Sequence, residues 1–190
     1  MFLEYFLPGM AVLAMILALL RSRAEIRLFF AAQLLATVVG QVATYYVGYT
    51  TDLYRYLYIG YTLVILETCL FIIASANKWN FWKPATFLAL LVGCLAAAGT
   101  ILPKDANMIT TLAEAILVSV LGFMLLYAHH DAVDKRAVLL IGVFCIIKAI
   151  CNFMYLTEPL GDWVNTWLPA AAAFVCFGVI AVSPRVRFAH

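Results

Sequence analysis

The chain has 190 residues, 66% of them hydrophobic and only 12% charged, with a mean hydropathy of +1.02 and a formal net charge of +2. Soluble domains carry roughly 45–50% apolar and roughly 25% charged residues, and one domain of this length cannot hide so much apolar surface from water. The composition excludes a soluble enzyme, a nucleic-acid binder, a disulfide-stapled secreted module and a disordered chain.

Seven apolar segments are expected, each near the roughly 20 residues that cross a bilayer. The first, 3–20, opens on Met1-Phe2-Leu3-Glu4 and is followed by Arg21, Arg23 and Arg27. A secretory signal has the reverse charge order, so this segment is expected to be retained. The second, 28–49, carries Gln33, Thr37, Gln41 and Tyr45 at helical steps of four, with Thr44 beside them. The third, 56–76, lines up Tyr56, Gly60, Glu67 and Ala74. The fourth, 84–102, is rich in small residues from Gly93 to Gly99. The fifth, 108–128, has Thr110, Thr111 and Glu114 near its beginning. The sixth, 137–156, places Cys145, Lys148, Asn152 and Tyr155 on one side at steps of three and four. The seventh, 163–183, begins with Trp163 and Trp167, which suit a membrane interface, and contains the run Ala170–Ala173. Lipid leaves backbone groups no outside partner, and the segments lack the alternation of a barrel, so all seven are read as helices. They take about 140 residues at that span length, which leaves a single transmembrane domain over 1–190.

Charge asymmetry orients the chain. With the N-terminus outside, the inner side holds Arg21, Arg23, Arg27, Lys78, Lys83, Lys135, Arg136, Arg185 and Arg187, nine cations, against Arg55 and Lys104 outside. This follows the positive-inside rule and predicts a multi-pass protein of the cell (inner) membrane, N-out and C-in. The five cysteines all lie in apolar segments and read as small hydrophobes.

Seven helices divide as three plus one plus three, the odd helix letting two triplets run parallel. Arg27 opens the second segment and Arg136 the sixth, and each closes through tyrosine into threonine, an acid and an aromatic residue. This comparison leaves both a duplication and chance open. In topology the layout resembles the PQ-loop sugar transporters and the KDEL receptor, but the chain contains no Pro-Gln pair, so the likeness is confined to helix count and orientation. Through Arg21-Ser22-Arg23, Phe29-Phe30, the tyrosine-rich end of the second segment and Val64-Ile65-Leu66-Glu67, about the first 80 residues resemble a group of uncharacterised bacterial seven-helix membrane proteins. That resemblance implies a compact seven-helix bundle and brings no activity with it.

Three charges fall inside apolar segments: Glu67, Glu114 and Lys148. Each is costly in lipid and requires a partner, water or a function. Counted from the outer helix ends at about 1.5 Å per residue, Lys148 lies roughly 12 Å deep, Glu114 roughly 9 Å and Glu67 roughly 16 Å. Lys148 and Glu114 are therefore expected to pair, which leaves Glu67 as a desolvated carboxyl suited to proton coupling. The polar stripes of the second, third, fifth and sixth segments are expected to turn inward and meet. The candidate site is Gln41, Tyr45, Glu67, Glu114, Lys148 and Asn152, binding a small polar or charged ligand or passing protons. The competing reading makes the same cluster structural glue in an accessory subunit of a larger membrane complex. The outer tyrosines from Tyr45 to Tyr61 read mainly as an aromatic belt.

No H-E-x-x-H, G-x-S-x-G, P-loop or Rossmann glycine pattern occurs, so no catalytic residue, cofactor or enzymatic activity is expected. Lys148 has the chemistry of a retinal Schiff-base lysine, but known rhodopsins carry theirs in the last of seven helices. His129-His130-Asp131 with Asp134 reads as a solvated loop rather than a metal site. The expected partners are membrane lipid, a small ligand, and a second copy or other membrane subunits, with no nucleic acid.

Overall fold

The structure, a computed structural model, describes residues 2–46, 66, 68–76, 106–157 and 167–183. Among these it is all-helical. α1 spans Phe2–Arg21, α2 Ala24–Tyr46, α3 residues 68–76, α4 Ala106–Ala128, α5 Lys135–Thr157 and α6 Leu168–Val182. The fourth expected segment, 84–102, lies outside the described residues. One described helix has a stretch long and apolar enough to cross a membrane unaided, Lys135–Met154, at 20 residues and mean hydropathy 2.3; four others hold apolar stretches of 10–17 residues.

The helices run further into the charged connections than their apolar runs suggest. α2 begins at Ala24 rather than near residue 28, so Ser22 and Arg23 alone separate it from α1. The Ser22 N–H continues the α1 ladder to the Ala18 carbonyl at 2.9 Å, and the Arg27 guanidinium donates to the Ser22 carbonyl at 3.1 Å. Charged residues are good helix formers, and their long side chains lead the charge away from the apolar face. α5 likewise takes in Lys135 and Arg136. It is started by Asp134, whose Oδ1 accepts from the Ala137 N–H at 3.1 Å, satisfying one of the donors that a helix start leaves unpaired. α6 opens at Leu168 with proline in its first turn and Trp167 at the N-cap. Pro8 sits inside α1.

α4 and α5 form the most extensively packed pair, followed by α1 and α6. In the first pair the backbones approach through two glycines. A Cβ on Gly142 would lie 3.2 Å from the Gly122 carbonyl oxygen and 3.1 Å from Leu126 Cδ2, and one on Gly122 would lie 2.8 Å from Ile146 Cδ1. In the second pair the small residues Ala11, Ala14 and Ala18 of α1 and Ala172, Ala173 and Ala181 of α6 are all buried in the common core. The C-terminal ends of α1 and α6 meet: the Arg21 guanidinium donates to the Ala181 carbonyl at 2.7 Å, where a cation also complements the negative end of the helix dipole. α1 and α6 are therefore parallel.

The core is centred on Phe177 of α6. Its ring stands 5.0 Å from Phe30 and 6.1 Å from Phe29 of α2, both edge-on, and 4.7 Å from Phe144 of α5. Such geometries set the positive ring edge against a negative face. At the end of the bundle where α1 stops, Arg23, Ser75 and Asp134 line one cavity of about 40 Å³. The α1–α2 turn, the end of α3 and the α4–α5 loop therefore share that end.

Gly142→Ala is expected to lower stability by about 1 kcal/mol net, because overpacking against backbone costs roughly 1–3 kcal/mol while alanine returns about 1 in helix propensity. Gly122→Ala, which meets the mobile tip of Ile146, is expected to be near neutral. Thermal unfolding of the two variants in one detergent checks the order.

Candidate functional site

The predicted ion pair is present. Lys148 Nζ of α5 lies 3.3 Å from Glu114 Oε1 of α4, and the glutamate side chain is only 3% exposed against 21% for the lysine. The register explains the meeting. Glu114 stands eight residues from the start of α4 and Lys148 nine from the end of α5, so the antiparallel pair brings them level. Local sequence brings Asn152 to the same side of α5, one turn beyond Lys148, and it is buried at 7% exposure. Its amide Nδ2 has no hydrogen-bond partner among the described residues. A buried donor left unpaired costs about 1–3 kcal/mol, so Asn152 is the one member of this trio whose burial is not explained by the contacts around it.

A second such amide lies on α2. Gln33 is 4% exposed and its Nε2 is also without a partner among the described residues, while its backbone carbonyl accepts from the Thr37 hydroxyl at 2.8 Å. The polar stripe of α2 thus faces inward at Gln33. Gln41 and Tyr45 lie on the α2 helix, but their side chains fall outside the described residues, as does Glu67 altogether. Of the six candidate site residues, Glu114 and Lys148 are brought into contact and Asn152 adjoins them on α5.

The outward faces are the opposite in character. On α4, Ile116, Val120 and Phe123 are 49%, 50% and 64% exposed. On α2, Leu35 and Val38 lie outward, and on α6 Val175 and Val182 do. At these positions large apolar side chains point out of the bundle, while Gln33, Glu114 and Asn152 are buried within it.

The histidines of the α4–α5 loop are placed differently from a ligand set. The His129 imidazole donates to the Leu126 carbonyl and stacks on His130 at 3.9 Å, and Asp134 starts α5. Among the described residues no group of three or more His, Cys, Asp or Glu side chains converges to hold a metal ion. Cys69, Cys145, Cys151 and Cys176 are free and buried; Cys94 lies outside the described residues. No protein-family profile, curated protein or solved structure matches this chain.

Two features escaped the sequence reading. Gly122 and Gly142 carried a usable signal, since each sits mid-helix where glycine is disfavoured without a packing reason. The buried hydroxyl of Ser22, 6% exposed and without a partner, carried none.

Lys148→Met is expected to destabilise the protein by about 3 kcal/mol, the low end for breaking a buried pair, because the lysine retains some exposure. The double variant Glu114→Gln, Lys148→Met is expected to recover most of that loss. Losses of Glu114→Gln and Lys148→Met that simply add in the double variant, read by thermal unfolding, would show that the two side chains contribute nothing as a pair.

Proposed function

We propose that this chain is a multi-pass membrane protein of seven helices, N-out and C-in, that binds or transports a small polar solute or protons through an outward-facing cavity between its second, third, fifth and sixth spans. The inverted faces of α4 support the membrane setting: a glutamate buried at 3% and a phenylalanine exposed at 64% on one helix suit lipid and would be perverse in water. The parallel course of α1 and α6 supports an odd number of crossings, since chain ends that traverse in the same direction are separated by an even number of reversals. The shared location of the α1–α2 turn, the end of α3 and the α4–α5 loop supports gathering the cationic connections on the inner side.

The observation that carries the site is the unpartnered amide of Asn152 beside the Glu114–Lys148 pair. In a low-dielectric interior a donor of this kind is a position prepared for an acceptor on a ligand or a water. Asn152 and Gln41 orient the solute, Glu114 holds Lys148, Tyr45 stands at the mouth, and Glu67 exchanges the proton. The protein acts without catalysis. A second reading has its own support: the 3.3 Å pair closes on itself, which suits a network that only locks helix order in an accessory subunit.

Topology is checked with reporter fusions. A fluorescent protein joined after Ser183 or inserted at His130 is expected to fold and fluoresce, and alkaline phosphatase joined after Lys104 to be active. The reverse pattern overturns the orientation.

Function is checked in two steps. Gentle extraction and native mass spectrometry are expected to give a monomer or symmetric oligomer with a reproducible small-molecule adduct. In vesicles loaded with a pH-sensitive dye, the protein is expected to pass protons down an imposed gradient and Glu67→Gln to abolish that flux. A fixed assembly with other polypeptides, together with flux no greater than in empty vesicles, sinks the transport reading in favour of the accessory subunit.

A further inference from the structure

The cavity at the inner end of the bundle has a composition unlike the rest of the interior. Its floor is apolar, made by Ile26, Ile72 and Val138, and its polar lining is Arg23, Ser75 and Asp134. Arg23 is exposed and Asp134 half-buried, so one cation and one anion stand at a single opening above a hydrophobic base. Asp134 uses Oδ1 to start α5, and a carboxylate has a second oxygen that can also accept a donor.

Under the membrane reading above, on which this inference rests, the opening lies at the level of the inner-leaflet headgroups. We propose that it is a headgroup site for a phospholipid with a primary amine, phosphatidylethanolamine, the ammonium donating to Asp134 and the phosphate accepting from Arg23. Charge complementarity selects the class. A zwitterionic headgroup meets both charges, whereas phosphatidylglycerol offers a phosphate to Arg23 and only neutral hydroxyls to Asp134.

The opening of about 40 Å³ admits a small polar group, and the choice among zwitterions falls to hydrogen bonding. A choline arm adds three methyl groups and has no N–H to donate to a carboxylate. Val133, which lines the opening and is 66% exposed, offers apolar surface to the glycerol and the first carbons of the acyl chains.

The test uses the full chain purified in detergent and presented with an equimolar mixture of phosphatidylethanolamine, phosphatidylcholine and phosphatidylglycerol, with retained lipid counted by native mass spectrometry. One molecule of phosphatidylethanolamine is expected to be retained several-fold over either competitor. Asp134→Asn keeps a good helix cap and removes the charge, and Arg23→Gln removes the other partner. Asp134→Asn is expected to reduce retention of phosphatidylethanolamine to the level of phosphatidylcholine, whereas Arg23→Gln is expected to lower retention of all three lipids, since each carries the phosphate, and so to remove the excess of bound phosphatidylethanolamine. Ser75→Leu, which fills the cavity from its exposed edge without changing charge, is expected to remove that excess as well.

Equal retention of the three lipids, a preference for phosphatidylglycerol, or a preference that survives all three substitutions overturns the proposal. These outcomes are separate from failure of the membrane reading itself, which the reporter fusions detect: a correctly oriented protein without the lipid preference loses only this site.

Discussion

A carboxylate 3% exposed in an apolar interior has to be met by a cation, and the rest of this bundle is arranged around the place where that happens. Glu114 and Lys148 are 3.3 Å apart across the α4–α5 interface. Separating them strands a charge, which in a buried setting costs several kcal/mol, so the pair dictates both the register of the two helices and their facing surfaces. The glycines add a second constraint further along the same interface. Gly142 packs on the carbonyl of Gly122 closely enough that a methyl group would intrude. With one polar contact and one steric contact separated along the helices, neither sliding nor rotation is free.

The remaining helices are assembled by other means. α1 and α6 bury alanines in the common core and are fastened at one end by Arg21 donating to the last turn of α6. Phe177 carries α6 onto α2 and α5 through ring contacts. Small residues, aromatic edges and one ion pair are the associations expected where apolar surroundings offer little hydrophobic driving force, because packing and internal polar contacts must then hold helices together. The same surroundings give Asn152 and Gln33 their significance. An amide without a partner in water merely hydrates, whereas one enclosed among apolar helices is an unpaid debt in free energy.

The legibility of this chain in its sequence was uneven for reasons visible in particular residues. The α-helical class was readable because long apolar runs punctuated by charge admit little else. The Glu114–Lys148 pair was readable because consecutive antiparallel helices have a known rise, so counting from their ends predicts which residues come level. The inward faces at Gln33 and Asn152 followed from steps of three and four. Helix limits were less legible: Glu25, Arg27, Lys135 and Arg136 lie in charged stretches that look like loops, yet all four are helical. Charge marks the end of an apolar stretch, whereas a helix ends where its backbone loses its partners.

By itself, then, the sequence determined the helical class of the fold, the inward placement of Gln33 and Asn152 and the pairing of one glutamate with one lysine, because these depend on periodicity, rise per residue and the sign of charge. Tertiary structure alone decided that Gly142 touches the Gly122 carbonyl, that α1 and α6 run side by side with Arg21 joining their ends, that the amide of Asn152 is enclosed without a partner, and that Arg23 and Asp134 share one cavity. The contacts among these join residues between 20 and 160 positions apart, and helical periodicity carries no information about which faces of separate helices will meet. Packing settles that, through volumes and hydrogen bonds satisfied across the bundle rather than along the chain.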